Sequence, residues 1–358
     1  MPVSRTERSW SPMTEPVAAR RVRVVEIVRE TEDACSIVLA PVAAEDEADF
    51  AYSPGQFLTL QLPTAEGGVG RCYSLCSSPH VDDSLRIAVK RVRDGIGSNW
   101  INDNLAVGDE VLCLPPGGVF TPKSLDDDLL LFAGGSGITP VLSILKSALA
   151  VGHGHVVLVY ANQHEKSVIF AEQLRQLAAD FPDRLHVIHV LESVQGLPSR
   201  AQLAAFAAPY SSYTSFICGP SPFMETVTHA LREVGVPPAR VHIEKFTSLL
   251  ENPFEMSAPA AVDPGDGSTT ALEVELDGET HTYDWPRQQK LLDFLLAQGL
   301  KAPYSCRQGL CSACACIVDT GEVKMLHNEI LEQEDLDEGY VLGCQSVPIT
   351  DVVKIRYS

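Results

Sequence analysis

Cys306, Cys311 and Cys314 are spaced C-x4-C-x2-C, and Cys344 follows after 29 intervening residues. No other feature restricts the C-terminal part of the chain as much. A tight loop can set three thiolates around one side of an inorganic group while a distant strand supplies the fourth, and this spacing suits a [2Fe–2S] cluster. Gly309 and the small Ser305, Ser312 and Ala313 let backbone amides approach the sulfurs and hydrogen-bond to them. The alternatives are a zinc site or buried free thiols. Zinc favours two close cysteine pairs, and Cys344 has no near partner. Cys316 is then a surplus thiol, expected to pack into the following strand. Five of the ten cysteines fall in this stretch; Cys35, Cys72, Cys76, Cys113 and Cys218 are scattered and read as small buried residues. Met1–Arg20 is interrupted by charges and carries no secretory signal, so a reducing compartment and no disulfide framework are expected.

A chain of 358 residues exceeds one ordinary core and calls for two or three domains. Its formal charge of −20 repels phosphate backbones and anionic membranes, which argues against nucleic-acid and membrane partners. The uncharged run Leu129–Leu145 is broken by Gly134, Gly135, Gly137 and Pro140 and does not read as a membrane span. A soluble, cytoplasmic protein is expected.

The hydrophobic rhythm divides the chain. Residues 1–16 are polar and aperiodic, a flexible extension. From 17 to 125, short β-rich runs (Val22–Val28, Cys35–Ala40, Phe57–Leu62, Leu85–Val92, Glu110–Leu114) alternate with turn signals, which predicts an antiparallel sandwich or small barrel. From 126 to 250, apolar strands at Leu129–Ala133, Val156–Tyr160, Leu185–Leu191 and Ser215–Cys218 alternate with helical stretches. That is the pattern of an α/β parallel sheet with helices on both faces. Residues 251–269, rich in Pro, Gly, Ala and acid, read as a linker. In the unit 270–358, Asp277-Gly278 between two alternating runs predicts a hairpin, and a helix is expected over Gln288–Gln298.

Gly135-Ser136-Gly137-Ile138-Thr139-Pro140 lies between an apolar strand and a helix. Glycines there let backbone approach a diphosphate at the helix N-terminus. Pro140 stands where the usual dinucleotide fingerprint has its third glycine, so this turn alone is equally compatible with structural glycines. Cys218-Gly219-Pro220, after the last apolar strand, can reach the same crevice. In the β-rich unit, Arg71-Cys72-Tyr73-Ser74 offers a phosphate clamp, a stacking face and a hydroxyl, although such a run on a strand is ordinarily just a strand. Gly95-Ile96-Gly97-Ser98 reads as a second phosphate loop opening a short helix.

In this order the motifs resemble the ferredoxin–NAD(P)H reductase family with a C-terminal plant-type ferredoxin domain, over roughly residues 20–358. The flavin motif R-x-Y-S is Arg71–Ser74, followed by Val89-Lys90 and Gly97-Ser98. The nicotinamide motifs are Gly135–Pro140 and Cys218–Pro220, and the E-x-[FY] element is Glu244-Lys245-Phe246. The resemblance implies an antiparallel β-barrel flavin domain, an α/β nicotinamide domain and an α+β, β-grasp-like ferredoxin domain. FAD, NADH and a [2Fe–2S] cluster are the implied cofactors, with FMN left open because the flavin motif does not show an adenosine end. Electrons would pass from NADH through FAD and the cluster to a Rieske-type oxygenase component. Cys306, Cys311, Cys314 and Cys344 would be the metal ligands.

By the same resemblance, Tyr73 packs on the flavin ring and Ser74 hydrogen-bonds near the hydride-accepting nitrogen, while Phe246 covers the other face and moves aside for nicotinamide. Glu244 orients the nicotinamide or relays a proton, and Cys218 lines its pocket. An exposed strand-end acid and a buried structural thiol are the alternatives for these two. NADH is preferred to NADPH because Ala161-Asn162-Gln163 and Glu192-Ser193 supply no cation for a 2′-phosphate, although Arg200 lies nearby. The acidic run Glu329, Glu332, Glu334, Asp335, Asp337 and Glu338 is either a solvated face or a docking patch for a basic partner. The same wiring would also serve a phenylacetyl-CoA epoxidase or an aromatic-ring dioxygenase. A non-enzymatic iron–sulfur redox sensor is the distant alternative.

Overall fold

The computed structural model describes residues 19–64, 67–249, 251–255 and 267–357. The expected extension at 1–16 therefore lies outside the described residues. Three sheets follow one another along the chain.

The first sheet contains β1 (Arg20–Arg29), β2 (Ala34–Pro41), β3 (Phe57–Thr64), β4 (Gly67–Ser74), β5 (Leu85–Lys90) and β6 (Glu110–Gly117), with helix α1 (Ile96–Asn104) between the last two. All its pairings are antiparallel, in the order β4-β3-β6-β1-β2-β5. A bridge between Leu75 and Ile87 brings the two ends together as a barrel around Val22, Ile37, Leu58, Leu60 and Ile87. The sequence reading puts Arg71–Ser74 on a strand but gives that strand no bounds, because Gly67, Gly68 and Gly70 depress strand propensity over its first half. The structure explains Gly70: a Cβ there would stand 2.4 Å from Cδ of Pro253, so the glycine lets that segment cross the strand.

This crossing corrects the linker expectation in part. Asn252 donates through Nδ2 to the Gly68 carbonyl at 3.0 Å, and Phe254 is buried in the core of the C-terminal domain. Residues 251–255 thus pack against both neighbours rather than running free; residues 256–266 lie outside the described residues.

The second sheet contains β7 (Leu129–Gly134), β8 (Val156–Asn162), β9 (Leu185–Leu191), β10 (Thr214–Cys218) and β11 (Val241–Glu244). The helices between them are α2 (Ile138–Val151), α3 (Ala171–Asp180), the single turn α4 (Glu192–Gln195), α5 (Arg200–Ala207) and α6 (Ser221–Glu233). Every pairing is parallel, in the order β11-β10-β7-β8-β9. Strand β7 is buried at all six positions because both faces are covered. Leu129 and Leu131 pack with α2 and α3, whereas Leu130 and Phe132 pack with α5 and α6.

The third sheet contains β12 (Thr269–Leu276), β13 (Glu279–Pro286), β14 (Ala315–Thr320), β16 (Tyr340–Leu342) and β18 (Val352–Arg356), ordered β13-β12-β18-β14-β16. Strands β15 (Val323–Met325) and β17 (Ser346–Pro348) form a separate pair, and helices α7 (Leu291–Ala297) and α8 (Gln333–Asp337) complete the unit. Along β12 the inward residues Thr270, Leu272, Val274 and Leu276 alternate with outward ones. Its hairpin turns at Asp277 and Gly278, both at positive φ (54° and 76°), as a two-residue primed turn requires. Strand β18 returns parallel to β12, with α7 packed on the sheet, which is the β-grasp-like arrangement. Helix α7 is shorter than expected because Trp285 donates its indole N–H to the Gln289 carbonyl and holds that turn outside the helix. Among the described residues no helix is long and apolar enough to cross a membrane.

Candidate active site

The flavin motif occupies the end of β4, so alternate side chains face opposite ways. A cavity of about 450 Å³ opens beside it. Arg71, Cys72, Tyr73, Ser74, Val89 and Lys90 line one side; Gly97 and Ser98 at the start of α1, Ser136 and Thr139 of the glycine turn, and Phe246 complete it. This volume is in the range of small-molecule sites. A Cβ at Gly97 would approach Arg71 Cγ to 2.8 Å and the Tyr73 hydroxyl to 3.1 Å, so the glycine keeps the α1 N-terminus close to the arginine. A helix N-terminus facing an arginine makes a cradle for a diphosphate. Phe246 is exposed, free to lie on the cavity mouth. Thr247, Ser248 and Asp94 also line the cavity and were not singled out from the sequence, since isolated small polar residues carry no pattern.

The two glycine turns meet as expected. A Cβ at Gly137 would stand 2.1 Å from the Cys218 carbonyl oxygen, so only glycine allows the α2 turn to nest against the end of β10. We expect Gly137→Ala to lower stability by about 3 kcal/mol, read as a fall in the melting midpoint, because backbone and not a side chain is in the way. Gly134 likewise faces Pro220 and Phe223, and Gly219 faces Gly134. Of this group Ser136 and Thr139 line the flavin-side cavity, whereas Gly134, Gly137, Gly219 and Pro220 pack the two turns against each other. Cys218, placed by the sequence reading at the nicotinamide, has its side chain enclosed in the core with Leu131 and α2. Burial raises its thiol well above the ordinary cysteine range. It is a buried thiol beneath the turn and lines neither cavity described here. Arg200, the nearby cation, pairs with Glu233 on α6 at 3.1 Å.

Glu244 is not an exposed strand-end acid. It lies at the end of β11, in register with Cys218, and is 8% exposed. Burial pushes its carboxyl up to about 8, so it is protonated at neutral pH. It shares a small cavity of about 40 Å³ with Phe57, Cys72, Ser74, Phe246, Leu310, Cys311 and Ser312. The flavin strand, the buried acid and the cysteine loop therefore meet at one place.

In that loop Cys306, Cys314 and Cys344 are buried and Cys311 is partly exposed. The thiols of Cys311 and Cys344 both approach that of Cys306, and Cys344 also approaches Cys314. Backbone amides of Gln308 and Leu310 donate to Cys306 Sγ at 3.3 and 3.4 Å, and that of Cys344 donates to Cys314 Sγ at 3.5 Å. Arg307 takes a positive φ of 56° to aim these amides inward, and is held by Asp293 of α7 at 2.5 Å. Among the described residues, no three His, Cys, Asp or Glu side chains converge as ligands of one ion would. Four thiols linked by close approaches and wrapped in amide donors suit a two-iron cluster. Cys316 is buried in β14, and burial raises its thiol.

The acidic run is largely exposed, yet part of it is engaged by the chain itself. Glu332 pairs with Lys245 at 2.7 Å, Glu338 pairs with Lys123, and Asp335 accepts from the Glu332 amide at 2.9 Å. The two lysine pairs tie the cysteine-bearing domain to the other two, while Glu329, Glu332, Asp337 and Glu338 all remain exposed. The Ser77-Ser78 run after the flavin motif has a similar use. Ser143 of α2 donates to the Ser77 carbonyl at 2.6 Å, and the Ser78 and Ser147 hydroxyls are 2.8 Å apart.

Comparison with known proteins agrees with this architecture. An oxidoreductase FAD-binding domain matches residues 22–121, an oxidoreductase NAD-binding domain residues 131–229, and a 2Fe-2S iron-sulfur cluster binding domain residues 274–348. The chain is 58% identical over 336 residues to the ferredoxin reductase component of 3-ketosteroid-9-alpha-monooxygenase of Rhodococcus rhodochrous, covering 93% of this chain and 95% of that one. It is 52% identical over 342 residues to the protein of that name from Mycobacterium tuberculosis, covering 94% and 95%. The solved structure of phthalate dioxygenase reductase superposes with a TM-score of 0.56 at 22% identity, covering 95% of this chain and 98% of that one, a likeness of fold. The chain belongs to the ferredoxin reductase family whose members join FAD-binding, NAD-binding and 2Fe-2S domains, and is an oxidoreductase of the kind that supplies a monooxygenase.

Proposed function

We propose that this chain is the NADH-dependent reductase component of a two-component 3-ketosteroid 9α-monooxygenase, delivering electrons to a Rieske-type oxygenase during cytoplasmic steroid and cholesterol catabolism. The observation that carries the reading is the shared wall between flavin cavity and cysteine loop, in a chain 58% identical to a reductase of that name. Units 17–125, 126–250 and 270–358 then hold FAD, nicotinamide and cluster in turn.

FAD accepts a hydride and releases single electrons, and the [2Fe–2S] cluster carries them one at a time. Arg71 and the α1 N-terminus would hold the diphosphate, and Tyr73 would stack on the ring. Ser74 hydrogen-bonds at the edge where hydride arrives. Phe246, exposed at the cavity mouth, yields its place to nicotinamide. Glu244, kept protonated by burial, can donate a hydrogen bond or a proton beside Ser74. The four thiolates Cys306, Cys311, Cys314 and Cys344 hold the irons, and the surrounding amides stabilise their charge. NADH is favoured over NADPH because Arg200 is engaged by Glu233 and neither Asn162-Gln163 nor Glu192-Ser193 supplies a cation at the strand ends.

The test is the visible spectrum before and after anaerobic NADH, with the flavin extracted and identified. Flavin bands over an iron–sulfur absorption, both bleaching with NADH and more slowly with NADPH, are expected. Coupled turnover with a Rieske steroid oxygenase, and none with an epoxidase partner, identifies the acceptor. A protein that stays colourless after reconstitution with iron, sulfide and FAD overturns the reading.

A further inference from the structure

Ser305 precedes the first cysteine of the loop and is 1% exposed. Its hydroxyl does not serve its own domain. Thr59 of β3 donates to Ser305 Oγ at 2.9 Å, and Cys72 Sγ of β4 lies 3.3 Å from the same oxygen. Thr59 Oγ1 and Cys72 Sγ are 3.5 Å apart, which closes a triangle. Thr59 and Cys72 are opposed in the β3–β4 register, so the antiparallel pair fixes two corners before the loop arrives. Cys72 is also a wall of the flavin cavity, one bond network away from Ser305, and Ser305 is covalently joined to Cys306. The far end of the loop is fastened separately: Val119 donates its amide to Ser312 Oγ at 3.2 Å, and a Cβ at Gly117 would touch that of Ala313 at 3.0 Å.

We propose that Ser305 is a positioning residue that pins the cysteine loop to the flavin strand and thereby sets the rate of single-electron passage from flavin to cluster. The inference rests on the assignment of FAD and the cluster given above. Two electrons arrive with one hydride from NADH and leave one at a time, each turning one ferric iron ferrous until the oxygenase takes it. Electron tunnelling falls exponentially with distance, so a loop that rattles costs rate even when both groups are fully bound. Removing the hydroxyl takes away both bonds that join the loop to β3 and β4 and leaves Thr59 and Cys72 only their 3.5 Å contact with each other, so nothing at this corner holds the loop to the flavin strand.

The experiment compares wild type, Ser305→Ala, Ser305→Thr and Thr59→Val as purified holoproteins mixed with NADH anaerobically. The flavin and cluster bands are followed separately. In Ser305→Ala and Thr59→Val the flavin phase should match wild type while the cluster phase slows by roughly tenfold. Ser305→Thr, which keeps the hydroxyl, should restore it. The cluster's midpoint potential and electron paramagnetic resonance spectrum should not move. Independently of turnover, Cys72 should become alkylated faster by a small reagent, read by peptide mass spectrometry. Thr59 lies far from any cysteine ligand in sequence, so its variant decides the matter if Ser305→Ala loses the cluster. An unchanged cluster phase in Thr59→Val overturns the proposal, as does a slowed phase explained by a shifted potential. A wild-type protein without flavin or cluster bands would instead overturn the underlying assignment.

Discussion

In a Cys344→Ser variant, NADH-driven electron delivery to the oxygenase is expected to fall below detection while NADH-driven reduction of a small dye continues. Cys344 sits in the turn after β16, 2% exposed and inside the core of the C-terminal domain. Its thiol meets those of Cys306 and Cys314, so its loss opens one end of the thiol chain. The cavity beside Arg71, Tyr73 and Ser74 is built from β4, α1 and the glycine turn, none of which Cys344 supports. The two halves of the path should therefore separate. Binding of the cluster also contributes to folding, because the unfolded chain offers no preformed site. The C-terminal domain of the variant should melt earlier, with iron and sulfide content falling together. Cys316→Ser is the control: its thiol is buried in β14 beside Tyr357 and stands outside the C-x4-C-x2-C spacing, and iron content and coupling should both persist. Full iron content with intact coupling in Cys344→Ser would mean that the fourth ligand lies elsewhere.

The sequence disclosed most of what periodicity and spacing can encode. Apolar strands such as β7 are legible because they are buried on both faces, and the Asp277-Gly278 hairpin is legible because its turn demands positive φ at two residues. The cysteine spacing is legible because ligation fixes it. The first half of strand β4 was hidden, because Gly70 answers to Pro253, far along the chain. The pairing of Glu332 and Glu338 across domains was hidden for a similar reason. Their partners Lys245 and Lys123 lie in other domains, and an acidic run looks the same whether it meets water, a partner or its own chain. Each of these exposed pairs is worth little singly. Ser305 and Thr59 were invisible as a pair because no pattern links residues that far apart, and because serine and threonine are too common to mark a contact alone.

Glu244→Gln should change how stability depends on pH more than any other single substitution in the site. The folded protein holds the Glu244 proton up to about 8, whereas the ordinary glutamate value is 4.5. Between these two values the folded state binds a proton that the unfolded state releases. Stability from this group is therefore fully present below about pH 4.5, declines as pH rises through the window, and is gone above about pH 8. The span amounts to a loss on the order of 3 kcal/mol after allowance for relaxation of the buried site. Glutamine keeps the neutral shape and never ionises. Its variant should melt close to wild type at pH 5 and roughly 6 °C or more above it at pH 9. Hydride transfer supplies a second reading of the same proton. If Glu244 donates to the bound nicotinamide as a neutral acid, wild-type flavin reduction should slow as pH passes through about 8, and the slowing should vanish in Glu244→Gln. Parallel melting curves for the two proteins across pH 5–9 would show that the carboxyl is ionised in the folded state, and would remove the acid from the mechanism.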